Sequence, residues 1–234
     1  MDLKRLFRIP SEIFALPEVT IRMSGDANAR STFIDFSKPH PKYKLIQNKR
    51  WGAGLLKLPD TFDAYIKGKD KQALRTNRRR SIDGGFRFET FNPGEHLDEI
   101  LAINTSMRFR QGYPMTPDHL NIESLRVWAQ SKRAIYGLFD TNRVLKAYAH
   151  TPVHGEVFIF SRLLGHAEEL NKGIMYLLVS EVIREMIDGK RKYSMPIWGM
   201  YDTFFGASPG LQYFKERMGF RPYKVRWVWE NDMP

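Results

Sequence analysis

The 234-residue chain contains no cysteine. That absence removes disulfide scaffolds, thiol nucleophiles, redox CxxC pairs and thiolate zinc fingers from consideration. Nor does the sequence hold an uninterrupted apolar run near the roughly 18 residues of a membrane span. Its opening, MDLKRLFRIP, lacks the apolar stretch and small-residue cleavage site of a secretory signal. A cytoplasmic location with no transmembrane segment is therefore expected. Acidic residues are in short supply too: 26 Asp and Glu stand against 37 Lys and Arg, a formal charge of +11. That balance favours polyanionic partners such as nucleic acids, phosphorylated cofactors or anionic surfaces. Apolar material is plentiful, at 42% of residues with 16 Phe, 10 Tyr and 5 Trp, which suffices for a sizeable core and excludes disorder over the whole chain.

Prolines at 10, 17, 39, 41 and 59, with a turn signal at Ser24-Gly25-Asp26, predict an irregular, strand-poor N-terminal extension over 1–58 that packs on a domain spanning 59–234. Residues 67–80, KGKDKQALRTNRRR, concentrate seven bases against one acid. FRFETF (86–91) alternates as a strand, and helical patterns follow it over HLDEILAINTSMRFR and from Pro117. Three apolar runs at 133–140, 144–154 and 156–164, separated by short polar turns, predict an antiparallel meander. Residues 173–188 form the most apolar helix candidate, ending at Gly189. A strand (193–200), a short helix (208–220) and a terminal strand (222–229) complete the order. A mixed sheet with helices on its faces buries all of these elements.

Three segments carry a resemblance. Gly210-Leu211, Phe214-Lys215, Gly219-Phe220 and Pro222-Tyr223 follow a "GL..FK..GF.PY" pattern. Lys172-Gly173-Ile174-Met175-Tyr176-Leu177-Leu178 is close to a "GIG..LL" helix opening, with Met175 in place of the second glycine and Leu170 where Arg or Gln is usual. Arg75-Thr76-Asn77-Arg78-Arg79-Arg80 before a glycine-bearing turn matches an "R..IRRA...G" region. On these residues the chain, over roughly 55–230, resembles the GNAT superfamily of N-acyltransferases and, within it, the FemAB-like acyl and aminoacyl transferases. The resemblance implies an α/β (α+β) GNAT-like fold, a single domain with a mixed, mostly antiparallel sheet flanked by helices. It implies an enzyme that transfers an acyl or aminoacyl group from acyl-CoA or aminoacyl-tRNA to an amine acceptor.

Within that resemblance, Lys172, Gly173, Ile174 and Met175 are the expected donor-phosphate site, since a helix N-terminus presents free N–H groups and the positive end of its dipole. A competing alignment places the phosphate loop at Arg162-Leu163-Leu164-Gly165-His166-Ala167, which fits "R..G.A" literally. Lys215 stands where many GNAT enzymes carry a proton-donating Tyr, and a fixed ammonium suits an oxyanion or a phosphate. His166 is the candidate general base, with Glu168 or Glu169 as alternatives. Asp202 is the remaining acid expected near the cleft, suited to an acceptor's ammonium or, alternatively, to a strand-capping turn. Lys71, Arg75, Arg78, Arg79 and Arg80 are candidate contacts to tRNA or carrier phosphates, against the plain alternative of a solvated basic helix. Aromatics at 213, 214, 227 and 229 fall on apolar periodic segments and are assigned to the core. His150 and His154 have no third ligand near in sequence, so no metal site is predicted. The alternative functions are a nucleic-acid-binding or nucleobase-modifying protein on a GNAT-like fold, and a catalytically inactive partner-binding module.

Overall fold

The computed structural model describes residues 15–41, 44–110, 113–131, 135–205 and 207–230. The first fourteen residues of the expected extension, and Arg133 at the head of the first meander strand, lie outside the described residues. In chain order the elements begin with β1 (Glu18–Met23), α1 (Ala27–Ser37), β2 (Trp51–Lys57), α2 (Phe62–Ile66), α3 (Gln72–Asp83) and β3 (Arg87–Phe91). There follow α4 (Leu97–Thr105), β4 (Phe109–Arg110), β5 (Tyr113–Pro114), α5 (Pro117–Leu120), α6 (Ile122–Gln130), β6 (Ile135–Phe139) and β7 (Leu145–His150). The last are β8 (Val153–His154), β9 (Val157–Ile159), β10 (Arg162–Gly165), α7 (Ile174–Tyr193), β11 (Trp198–Thr203), α8 (Pro209–Met218) and β12 (Arg221–Trp229). They assemble into two compact units: residues 1–58, 152–159 and 189–234 in the first, 59–151 and 160–188 in the second.

The first unit holds a six-stranded sheet in the order β1-β12-β2-β11-β9-β8. The pairs β1–β12 and β9–β11 are parallel and the others antiparallel. Helix α1 starts where the Asp26 carboxylate accepts the Ala29 amide at 3.0 Å, a side-chain N-cap. Its Phe36 meets Trp227 with ring centroids 4.9 Å apart, and with Ile21, Met23, Leu55, Met200 and Val225 these residues form the core. The strand-poor expectation for residues 1–58 is thus corrected, because two strands and a helix come from that stretch and β2 lies between β12 and β11. Proline misled there: Pro17, Pro39 and Pro59 fall beside the elements, where a missing N–H does no harm.

The second unit holds an antiparallel sheet in the order β10-β7-β6-β3. Phe91, Phe139, Tyr148 and Leu164 on one face pack with Ile100 and Ile103 of α4 and Leu125 of α6. The expected meander is present as β6, β7 and β10, but its third run is divided. Val157–Ile159 pairs in the first unit's sheet, and the chain joins β7 only from Arg162. Among the described residues, no helix is long and apolar enough to cross a membrane.

Gly137 shows how tightly the second core is filled: a Cβ there would lie 2.6 Å from Phe91 Cε1 and 2.7 Å from Leu145 Cδ1. Gly137→Ala is therefore expected to cost about 1–3 kcal/mol through overpacking, read as a fall in the thermal midpoint of several degrees with the circular dichroism spectrum unchanged.

Candidate functional site

In the first unit the sequence candidates Asp202 and Lys215 come together at the end of β11. The pairing of β11 with β2 steps from Met200↔Leu55 to Thr203↔Ala53, which leaves one extra residue on β11. This β-bulge turns the strand and re-aims its side chains. Opposite the bulge stands Gly54, where a Cβ would lie 2.9 Å from the Tyr201 carbonyl oxygen, so no larger residue fits without displacing backbone. Asp202 itself adopts φ +47°, in the left-handed region that Asp tolerates better than most residues. Its side chain is 61% exposed, and Oδ1 accepts a hydrogen bond from Lys49 Nζ at 2.7 Å.

Beneath the bulge lies Lys215, on the buried face of α8 and only 1% exposed. Its Nζ donates to the Thr203 carbonyl at 2.7 Å and sits 4.7 Å from the Tyr201 ring centroid. Ser208 caps the start of α8, its Oγ accepting the Leu211 amide, and Gly219 in the left-handed conformation ends the helix. Burial pushes the Lys215 ammonium down to about 8, against an upward pull from Asp202 and a further downward push from Lys49. Desolvation pushes the Asp202 carboxyl upward, but Lys49, the Thr203 amide and Lys215 outweigh it and hold the group below the usual carboxylate value. Burial, with the Asp202 charge added, raises the Tyr201 hydroxyl far above its ordinary value.

Lys215 lies beneath the surface and already donates to a carbonyl of the bulge, whereas the Asp202 carboxylate faces solvent. Lys49 was not foreseen, since its lysine lies in a stretch read as irregular. The two glycines of WGAGLLK were the available signal for a close backbone approach.

The remaining candidates lie in the second unit. Gly173, at φ +81°, separates a 3-10 turn over Ala167–Lys172 from α7, and a Cβ on it would come within 2.4 Å of the Asn77 carbonyl oxygen. The α7 start is therefore pressed against α3. Ile174 is buried, Met175 sets its sulfur against Gly165, and Lys172 pairs with Glu169 at 2.7 Å. In the competing loop the His166 amide donates to the Lys146 carbonyl at 2.8 Å and the Ala167 amide to Ser106 Oγ at 3.1 Å. Those two N–H groups are engaged, and at the α7 start the Gly173 amide donates to the Leu170 carbonyl while the Tyr176 and Leu177 amides donate to the Gly173 carbonyl. His166 is three-quarters covered, 4.0 Å from Glu168, and its Nδ1 has no hydrogen-bond partner among the described residues.

The basic helix is largely engaged with its own protein. Lys71 is buried and lies over the Tyr65 ring. Arg75 donates to the Ile66 and Gly68 carbonyls at 2.7 and 2.8 Å. Arg78 holds Glu181 Oε1 through Nε and Nη2 at 3.0 and 2.6 Å, and Arg80 reaches the Asn171 carbonyl at 3.2 Å. Arg79 is the one left pointing outward, 84% exposed and 3.5 Å from Asp83. Lys71, Arg75, Arg78 and Arg80 are thus each engaged by groups of their own unit, although Arg75 and Arg80 remain exposed.

No family model and no curated protein matches the sequence. Among solved structures, the chain is similar to a conserved protein of unknown function from Bacteroides thetaiotaomicron, with TM-score 0.54 and 15% identity over 83% of this chain and 63% of that one. It is also similar to L-PGS from Bacillus licheniformis, with TM-score 0.51 and 17% identity over 73% of this chain and 57% of that one. At these identities the likeness shows a shared mixed α/β fold. A tandem GNAT protein from the clavulanic acid biosynthesis pathway aligns more weakly, at TM-score 0.43 and 13% identity over 59% of this chain and 43% of that one. The chain spans less than two thirds of the length of each of these proteins.

Two stability measurements check this geometry. Arg78→Ala, which leaves the buried Glu181 carboxylate with Arg184 alone, is expected to cost about 2 kcal/mol, whereas Arg79→Ala leaves the thermal midpoint unchanged. For Lys215, a folded-state value near 8 below the ordinary 10.5 means that the unfolded chain binds more protons between those limits, so the wild type gains stability as pH rises through them. Lys215→Met has no such gain. The variant is expected to melt at or above the wild-type temperature at pH 7 and to lose that advantage towards pH 10.

Proposed function

We propose that this chain transfers an acyl or aminoacyl group from an activated donor to an amine, with Asp202 receiving the acceptor's ammonium. The observation that supports it most directly is the exposed carboxylate of Asp202, held at a β-bulge in a GNAT-like fold with Lys215 buried behind it. A cationic amine exchanges readily for Lys49 at such a carboxylate, because both ions of an exposed pair remain in contact with water. Once deprotonated, the amine nitrogen attacks the donor carbonyl, and collapse of the tetrahedral oxyanion breaks the thioester C–S bond of an acyl-CoA or the ester C–O bond of an aminoacyl-tRNA. The proton released by nitrogen passes to a base.

Lys215 acts as a positioning residue. Its charge supports the ionised form of Asp202 and its hydrogen bond fixes the Thr203 carbonyl, so neutralising it above about pH 8 loosens both. The alternative of a nucleic-acid-binding protein draws little from the basic helix, where Lys71, Arg75, Arg78 and Arg80 are committed to internal partners.

Transfer from acetyl-CoA and from lysyl-tRNA to a panel of primary amines tests the proposal. One donor is expected to support turnover, Asp202→Asn to raise KM for the amine roughly 10- to 100-fold, and Lys215→Met to abolish the fall in kcat/KM above about pH 8. Absence of binding and turnover with both donors, measured by titration calorimetry and product release, contradicts it.

A further inference from the structure

The second unit contains a cluster of cations that the transfer reading does not use. On the helix-covered face of its sheet, the Tyr148 hydroxyl donates to Asn104 Oδ1 at 2.8 Å, and Asn104 Nδ2 donates to the His119 carbonyl at 2.8 Å. Two arginines approach this buried pair. Arg110, on β4, is fixed through Nη2, which donates to the Ile103 and Gly165 carbonyls at 2.7 and 3.1 Å. Arg162, on β10, lays its guanidinium over the Trp128 ring at 4.1 Å from the centroid. Among the described residues neither arginine has a carboxylate within ion-pair distance, and Asp118 acts on Arg162 only at longer range. Among the described residues, each retains one N–H hidden from solvent with no acceptor, Arg110 Nε and Arg162 Nη1.

Such an arrangement is costly as it stands. A buried donor without an acceptor is uncommon, and a desolvated guanidinium without an anion more so. Arg162 also hydrogen-bonds the Tyr148 hydroxyl, and Arg110 binds the carbonyl of Ile103, the neighbour of the Asn104 that Tyr148 holds, so both guanidiniums border the Tyr148–Asn104 pair. Burial depresses both arginines, and it depresses the His119 imidazole as well, with Arg162 and Arg110 adding to that effect. One phosphate group answers all of these features. It carries one to two negative charges, accepts several charge-assisted hydrogen bonds and matches the fork of a guanidinium. The planar Trp128 surface then fixes the orientation of Arg162 towards it.

We propose that Arg110 Nε and Arg162 Nη1 mark a phosphate-binding site on the helix-covered face of the four-stranded sheet. The site does not depend on acyl transfer. Arg162 contributes its side chain here, while the loop amides that follow it are engaged elsewhere.

Thermal unfolding of the full chain at pH 7 and constant ionic strength provides the test, with inorganic phosphate, glycerol 3-phosphate and dimethyl phosphate as probes and sodium chloride as the reference. Phosphate at about twenty times its Kd is expected to raise the midpoint by about 4 °C over chloride. A preference for glycerol 3-phosphate assigns the site to a terminal monoester, and a preference for dimethyl phosphate assigns it to a backbone diester. Arg162→Gln is expected to weaken phosphate binding at least about tenfold, measured by calorimetry and by loss of phosphorus-31 line broadening, with Arg162→Lys in between. Arg110→Gln also removes backbone contacts, so the Arg162 variants carry the decision. A midpoint no higher in phosphate than in chloride, or phosphate binding by Arg162→Gln equal to that of the wild type, overturns the proposal.

Discussion

A lysine ammonium 1% exposed to solvent, donating at 2.7 Å to the carbonyl of Thr203, is an expensive way to end a strand. Holding the group near 8 instead of the ordinary 10.5 corresponds to about 3 kcal/mol of destabilisation at neutral pH, a large part of the margin of a typical domain. The surroundings tolerate it because they are built around that charge. The Tyr201 ring lies against it, Asp202 opposes it from the solvent side, and the bulge brings a carbonyl within reach. Remove the ammonium and the bulge has no internal tether, while Asp202 loses the cation behind it.

The same constraint explains features remote in sequence. Gly54 is needed on β2 because the bulged carbonyls of Tyr201 and Asp202 lie where a side chain would begin. Lys49, just before β2, closes over Asp202 and pairs with its carboxylate. Residues 15–58 are accordingly part of the sheet that carries the site, with β2 hydrogen-bonded on both sides. The segment contributes a central strand, the glycine under the bulge and a cation at its mouth.

Much of the architecture was legible in the chain. The amphipathic helices, the paired strands β6 and β7, and the α8–β12 ending follow from periodicity and turn residues that local physics governs. Lys215 and Asp202 were singled out because their motif and chemistry are visible without coordinates. Burial of Lys215 was not, since an amphipathic helix offers several lysine positions and only packing decides which faces inward. The division of the run at 156–164 between two sheets was equally hidden, for β9 and β10 read as one apolar strand until partners are assigned. In arginine-rich α3 the charge density is plain in the sequence, whereas the engagement of Arg75, Arg78 and Arg80 with carbonyls and Glu181 within the unit is not. Partner choice for a charged side chain is a tertiary property.

The central claim is that Lys215 is a buried, titrating cation that sustains the bulge under Asp202. The most direct measurement is an NMR titration of the Lys215 side chain, assigned by comparison with Lys215→Met, following its Cε and Nζ signals from pH 6 to pH 11. A midpoint near 8, with the Thr203 carbonyl and Asp202 signals moving in the same transition, is the predicted result. A midpoint at the ordinary lysine value of 10.5, with no response at Asp202, would contradict the account.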